Sequence, residues 1–314
     1  MKRSEYNRKC FLCDSDLRTK SETISDVRFG VRENWTIGQC LDCGITQTFP
    51  VPSFEDLRRY YKKYYNFHGK REANYAAFRQ QFLSSKFYRA WLTIDGDISF
   101  HNLHGSGRLL DVGCNEGRGL MLYRKNGFEV EGLELNLRAA AEAKKKGFKV
   151  FTKSIEDYYP INLVDVVVVS NVLEHSLNPR KMLNQISRVI NKDGQVWISC
   201  PNLHSWQRHF FGRYWINWHV PFHIFHFSKK TLSKLLKETG FKIVEQKQKS
   251  PSLWIAQSVI ALIFSKPGHA TTQMRKPFLV AFLMLFMRFF LFPLLWVGNL
   301  LGRGDCLLVV AKKV

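Results

Sequence analysis

The sequence predicts a doubly wound α/β sheet, and three features predict it. Between residues 108 and 201, apolar runs of strand length alternate with segments of helical period. A glycine-rich turn follows the first of those strands, and the first two strands end in acids. Strict alternation of strand and helix calls for parallel pairing through right-handed crossovers.

The elements follow in order. "RLLDVG" (108–113) reads as a strand, and "GLMLYRKNG" as a helix closed by Gly127. "FEVEGLEL" is the next strand, followed by helix "NLRAAAEAKKKG", closed by Gly147, and the short strand "FKVFT". "VDVVVVS" (164–170) is apolar on both faces, as a strand covered by helices on either side requires. Helix "PRKMLNQISRVINKDG" leads to strand "QVWISCPN", and helix "SKKTLSKLLKETG" to "FKIVEQKQ". "DCLLVVAKK" (305–313) is the last strand candidate.

Ahead of the sheet, residues 1–50 are strand-and-turn material, and "PSFEDLRRYYKKYY" is a helix with Ser53 as its N-cap. Helical character continues over 70–100, and "HNLHGSG" (101–107) marks a boundary. The chain has 47 Lys+Arg against 26 Asp+Glu, a formal net charge of +21. That balance favours a polyanionic neighbour, either nucleic acid or an anionic membrane face. The first ten residues lead into no apolar run, so no signal peptide is expected and a reducing cytoplasm is the default compartment.

Four of the seven cysteines form two pairs, Cys10-Phe-Leu-Cys13 and Cys40-Leu-Asp-Cys43-Gly44. Two such knuckles supply four soft ligands, which suits tetrahedral zinc in a ribbon-like N-terminal domain. With every ligand supplied by protein, the ion would be structural. Two disulfides are the alternative, disfavoured in a reducing compartment.

Gly113, Gly117 and Gly119 follow a strand and open a helix. No Gly-Lys-Ser/Thr is present, and the spacing is not the usual dinucleotide fingerprint. The strand instead ends in Asp111, able to receive a cationic or polar group. The second strand ends in Glu134, placed as acids are that bind ribose hydroxyls.

These motifs, with "SNVLEH", "SCPN" and "TLSKLLKETGF", resemble in order those of class I S-adenosylmethionine-dependent methyltransferases over roughly residues 105–314. The N-terminal "CFLC…CLDCG…VPSFEDLRRYYKKYY" resembles the zinc-binding leader of a branch that acts on sugars and glycan precursors. The resemblance implies that Asp111 and the backbone at Gly113 and Gly117 hold the methionine part of the cofactor. It implies that Glu134 binds the ribose, that Ile155 and Glu156 flank the adenine, and that Ser170 and Asn171 line the cleft. Asn115 stands where a glycine is often seen, which is expected to narrow the loop. Glu174-His175 resembles a pair in quinone O-methyltransferases, with too few ligands for a metal.

Methyl transfer to an alcohol needs alignment and a proton acceptor. "YWINWHVPFHIFHFS" supplies His219, His223 and His226 among aromatics, and His223, His175 and His219 are the candidate bases. The motifs expected of base-amino or cytosine-C5 methylation are not met at "SNVLEH" or around Cys200. Finally, "LWIAQSVIALIF" (253–264) and "FLVAFLMLFMRFFLFPLLWVGNLL" (278–301) form an apolar helical insertion, the second interrupted by Arg288 and Pro293. Because the last strand must rejoin the sheet, the insertion crosses a membrane twice or not at all. A shallow hairpin on an anionic cytoplasmic leaflet is expected, beside Lys266, Arg275, Lys276 and Arg303.

The domain expectation is therefore a zinc ribbon at 1–50, a helical cap at 51–104, a methyltransferase domain at 105–250 and 304–314, and a hydrophobic insertion at 251–303. The expected activity is O-methylation of a saccharide, lipid-linked glycan or other amphipathic small molecule. An RNA methyltransferase and a non-catalytic scaffold of the same fold are the rival readings.

Overall fold

A computed structural model of the chain describes residues 9–17, 22–64, 95 and 99–314. The helix expected over 70–100 lies almost wholly outside the described residues. Strands are β1 (Glu22–Ser25), β2 (Asn34–Gln39), β3 (Thr46–Phe49), β4 (Arg108–Val112), β5 (Glu129–Leu133), β6 (Lys149–Phe151), β7 (Val164–Ser170), β8 (Ile190–Pro201), β9 (Phe225–His226), β10 (Phe241–Lys249) and β11 (Cys306–Lys313). Helices are α1 (Phe54–Tyr64), α2 (Arg118–Lys125), α3 (Leu137–Lys145), α4 (Pro179–Val189), α5 (Trp206–Phe211), α6 (Lys229–Glu238), α7 (Ser252–Phe264) and α8 (Pro277–Leu300). The chain divides into two compact units. One comprises Met1–Asp97, Asn202–Thr231 and Lys249–Asp305, and the other Ile98–Pro201, Leu232–Gln248 and Cys306–Val314.

The second unit is built on a seven-stranded sheet of order β10-β11-β8-β7-β4-β5-β6. The run β8-β7-β4-β5-β6 is parallel throughout, as strand–helix alternation demands. Val166 to Val169 are all buried, which accounts for the unbroken apolar run of β7. Helix starts are fixed by side-chain caps: Asn136 accepts from the amides of Arg138 and Ala139, and Asn178 from Lys181, with Pro179 opening α4. The core centres on Trp197, with the rings of Phe100, Tyr123 and Phe128 at 5.7, 6.3 and 5.6 Å. The last strand rejoins the sheet as expected, but reversed: β11 pairs antiparallel with β8, Cys306 opposite Pro201. Asn202 donates its amide to Asp305 O at 2.8 Å, so the chain re-enters the sheet beside the point where it left β8 and runs back along that strand.

The first unit carries the antiparallel sheet β1-β2-β3-β9. Ser53 caps α1 as expected. Its Oγ accepts the Asp56 amide at 3.1 Å, while the Asp56 carboxylate accepts the Ser53 amide at 3.2 Å. Residues 202–231, expected inside the methyltransferase domain, belong here instead. Trp215, Trp218 and Phe222 share one buried cluster with Trp35, Ile37, Tyr60, Ile255 and Leu295, and β9 pairs with β3. The apolar segments at 253–264 and 278–301 form α7 and α8, and α8 continues through both Arg288 and Pro293.

A fully buried carboxylate organises this core. Asp305 accepts Trp215 Nε1–H at 2.8 Å through Oδ1 and Asn217 Nδ2–H at 3.3 Å through Oδ2. Burial raises its carboxyl to about 7, against the opposing pull of hydrogen bonds from Ser205 and Trp215. Replacing Trp215 by Phe keeps most of the ring volume and removes one donor from a buried acid. An unmet acceptor of that kind costs on the order of 1–3 kcal/mol. Urea unfolding of Trp215→Phe is expected to show a loss of that size, and a midpoint equal to that of the native chain would contradict it.

Candidate functional site

The register of β4 against β5 brings two acids to one end of the sheet. Asp111 pairs with Gly132 and Val112 with Leu133, so Glu134 emerges alongside Gly113. Gly113 and Cys114 both donate their amides to Leu133 O, at 2.8 and 3.0 Å, which ties the turn to the tip of β5. Each oxygen of Glu134 is held by backbone: Oε2 accepts from Asn115 N at 2.9 Å and Oε1 from Asn136 N at 2.7 Å. Asp111 is buried beneath α2, and its carboxyl is pushed up to about 8, first by burial and then by the charge of Glu134. Glu134 is itself raised, chiefly by burial.

The glycines have identifiable tasks. Gly113 has φ 74°, and a Cβ there would lie 2.7 Å from Val172 Cγ2. Gly119 clears Asp111, because a Cβ at that position would stand 2.9 Å from Oδ2. Gly117 is the N-cap of α2. Asn115 departs from glycine yet adopts φ 50°, a region where asparagine is the most tolerant of the side-chain-bearing residues. The turn keeps a glycine-like course despite that substitution.

The other expected cofactor residues lie in the same unit. Ile155 is buried and Glu156 half-buried on a single 3₁₀ turn (Ile155–Asp157) after β6. Ser170 ends β7, with Oγ 2.9 Å from Ser199 Oγ, and Asn171 follows at φ 53° with its amide on Ser199 O. Glu174 and His175 occupy the next 3₁₀ turn. Glu174 is buried and raised to about 8 by that burial.

His219, His223 and His226 cluster in the first unit, with ring centroids 4.7 Å apart for His219–His223 and 6.5 Å for His223–His226. They do not share a helix face: His219 sits at φ 40° after a 3₁₀ turn. His223 Nδ1 lies 2.8 Å from Asn217 O. A carbonyl only accepts, so Nδ1 carries the proton and Nε2 is left as the basic nitrogen. His226 behaves differently. The Thr48 hydroxyl donates to His223 O at 2.8 Å and therefore accepts from His226 Nε2 at 3.1 Å. Burial, then the Arg208 charge, lowers His226 to about 3. It is a neutral brace between β9 and β3. Sequence reasoning missed the support behind His223, in which Asp305 orients the Asn217 side chain. The only signal was an acid opening an apolar strand.

The four N-terminal cysteines converge, with every Sγ within 4.8 Å of the others. The closest approaches are 3.4 Å for Cys10–Cys43 and 3.5 Å for Cys13–Cys40. Neither is a disulfide. Zinc–thiolate bonds of about 2.3 Å in a tetrahedron place sulfurs about 3.8 Å apart, which this spread brackets. The two knuckles are built alike. Asp14 N donates to Cys10 O and Gly44 N to Cys40 O, both at 2.9 Å, with Asp14 at φ 61° and Gly44 at φ 81°. The cluster can bind zinc.

A Rossmann-like seven-stranded sheet, with a glycine turn after the first of its parallel strands and acids at the ends of the first two, is that of a class I S-adenosylmethionine-dependent methyltransferase. A family model described as a methyltransferase domain matches residues 70–246, and the chain belongs to that family. An uncharacterised protein of Methanocaldococcus jannaschii is 28% identical over 148 residues, 45% of this chain and 68% of that protein. Among solved structures, a possible histamine N-methyltransferase from Thermotoga maritima is 16% identical, covering 74% of this chain and 97% of its own, with a TM-score of 0.45. A SAM-dependent methyltransferase from Archaeoglobus fulgidus is 20% identical, covering 76% and 99%, with a TM-score of 0.45.

The raised carboxyl of Asp111 has a measurable consequence. An unfolded aspartate titrates near ~3.9, so the folded chain holds an extra proton between about pH 4 and pH 8. Stability from this group is full below that window and is lost as pH rises through it. Asp111→Asn removes the slope. Scanning calorimetry without cofactor is expected to find the variant melting above the native chain at about pH 9 and not at about pH 5. A difference independent of pH would show that the carboxyl ionises freely.

Proposed function

We propose that the chain transfers the methyl group of S-adenosylmethionine to an oxygen of a saccharide, a lipid-linked glycan or another amphipathic small molecule, with His223 as base. S-adenosylmethionine, when bound, supplies an electrophilic methyl on a sulfonium. The berth suits it: two desolvated acids with raised pKa values favour a ligand that brings positive charge and hydroxyl donors. Asp111 and the amides around Gly113 and Gly117 would receive the amino-acid portion, and Glu134 the ribose hydroxyls. Ile155 and Glu156 would bracket the adenine, and Ser170 and Asn171 would border the cleft.

The observation that carries oxygen as the acceptor is the fixed tautomer of His223. An alcohol must lose its proton as the methyl arrives, and Nε2 of a neutral imidazole held through Nδ1 is built to take it. His219 and His175 are the alternative bases. The surrounding tryptophan and phenylalanine side chains suit an acceptor with apolar surface.

His223→Gln is expected to lower kcat by about 10²–10⁴-fold while leaving S-adenosylhomocysteine affinity and the melting temperature near native values. Turnover is to be followed with a panel of sugar, glycolipid and RNA acceptors. Methylation confined to RNA, or full activity in His223→Gln, would overturn the reading.

The N-terminal cluster completes the proposal as a structural zinc ribbon. Cys10, Cys13, Cys40 and Cys43 would fill the coordination sphere, leaving no position open for chemistry. One zinc per chain is expected by elemental analysis. In Cys40→Ser the metal content should fall and the protein should melt earlier, whereas unchanged stability on stripping the metal would count against a structural ion.

A further inference from the structure

We propose that α8 and the end of α7 form a monotopic docking surface for an anionic lipid leaflet, embedded on one face only and not spanning the bilayer. The inference is independent of which acceptor is methylated.

Helix α8 is 24 residues long and strongly apolar, and only Leu295 and Gly298 are buried. At about 1.5 Å per residue it could cross a hydrocarbon layer of about 30 Å. Its faces argue otherwise. Met287, Leu291 and Leu295 pack on the cluster around Trp215 and Trp218, and Gly298 lies against the Trp206 ring, where a Cβ would meet Cε3 at 2.9 Å. Arg288 adds an ionic tie. Its guanidinium pairs with Asp95, Nε donates to Asp95 Oδ1 at 3.1 Å, and a terminal nitrogen donates to Ser250 O at 3.0 Å. Asp95 is fully buried and also accepts the Ser252 amide at 3.0 Å. Drawing this helix into lipid on all sides would break a buried charge pair, which is strongly unfavourable.

Among the described residues, the opposite face has no such attachment. Phe278, Phe282, Phe286, Phe289, Trp296 and Leu300 recur every three, four or seven residues and are 42–86% exposed. Leu262, Ile263 and Phe264 extend the surface at the end of α7. So broad an apolar face marks a site of association. Charge selects lipid as the occupant. Residues 251–304 hold no Asp or Glu, whereas Lys266, Arg275 and Lys276 stand exposed at the α7–α8 connection and Arg303 just beyond α8. An apolar strip whose own connection and flanks carry only cations is complementary to acyl chains beneath anionic headgroups.

The test uses the full chain with vesicles of phosphatidylcholine, alone or mixed with phosphatidylglycerol. Co-sedimentation is expected with both and stronger with the anionic mixture. It should weaken without vanishing at ~0.5 M salt and reverse in alkaline carbonate. Phe282→Gln with Phe289→Gln should lower binding by about tenfold or more, with S-adenosylhomocysteine binding and melting temperature retained. That retention separates failed docking from a failed methyltransferase reading. A native chain that stays in the supernatant overturns the proposal, whether it elutes as a monomer or as a dimer sealed through this face. Resistance to carbonate overturns the one-sided geometry.

Discussion

Two parallel strands in fixed register force two carboxylates into one corner, and the cofactor berth proposed above depends on that constraint. Asp111 cannot move, because β4 is hydrogen-bonded on both sides and the side chain lies beneath α2. Glu134 cannot turn away, because backbone amides hold both of its oxygens. Burial raises both carboxyls, and the charge of Glu134 raises Asp111 further, so ionising this corner costs the empty fold stability. A ligand that supplies positive charge relieves this strain, so the cost of assembling the corner becomes selectivity for such a ligand.

The first unit uses buried acids in the opposite sense, as organisers that hold backbone amides and side-chain donors. Asp26 illustrates the pattern, taking the amides of Arg28, Phe29 and Val31 at 2.8, 2.9 and 2.9 Å and so folding the loop after β1 onto itself. Asp305 fixes Trp215 and Asn217, and through Asn217 it stiffens the segment whose carbonyl sets the tautomer of His223. Asp95 anchors α8 at its middle. Each lies far in sequence from part of what it holds or beside a turn it closes, so removing one would loosen a whole segment.

What could be read from the sequence was what a short window contains. The CxxC knuckles, the Ser53 cap, the helix-closing glycines Gly127 and Gly147, and the acids at the ends of β4 and β5 are local patterns with local causes. The course of residues 202–231 is not of that kind. Their assignment turns on Trp215, Trp218 and Phe222 meeting Trp35 and Tyr60, a meeting that leaves no period in either segment. The reversal of β11 likewise rests on a long-range meeting, since the chain re-enters the sheet at Asp305 beside Asn202, about a hundred residues apart. Asn115 is instructive in another way. The family resemblance marks it as a departure from glycine, and only its positive φ reveals that the departure is conformationally small.

Burial also redistributes the charge that the composition announces. Among the described residues, Asp26, Asp95, Asp111, Glu131, Glu174 and Asp305 are buried, whereas no lysine or arginine is. Acids withdrawn into the interior leave the outermost layer of charge predominantly basic. Burial keeps Asp111 and Glu174 substantially protonated near neutrality, which adds to the imbalance. The basic character is thus not a uniform coat but the outer half of a sorted distribution. Its inner half builds the corner at Asp111 and braces the aromatic core, and its outer half is left to the surface.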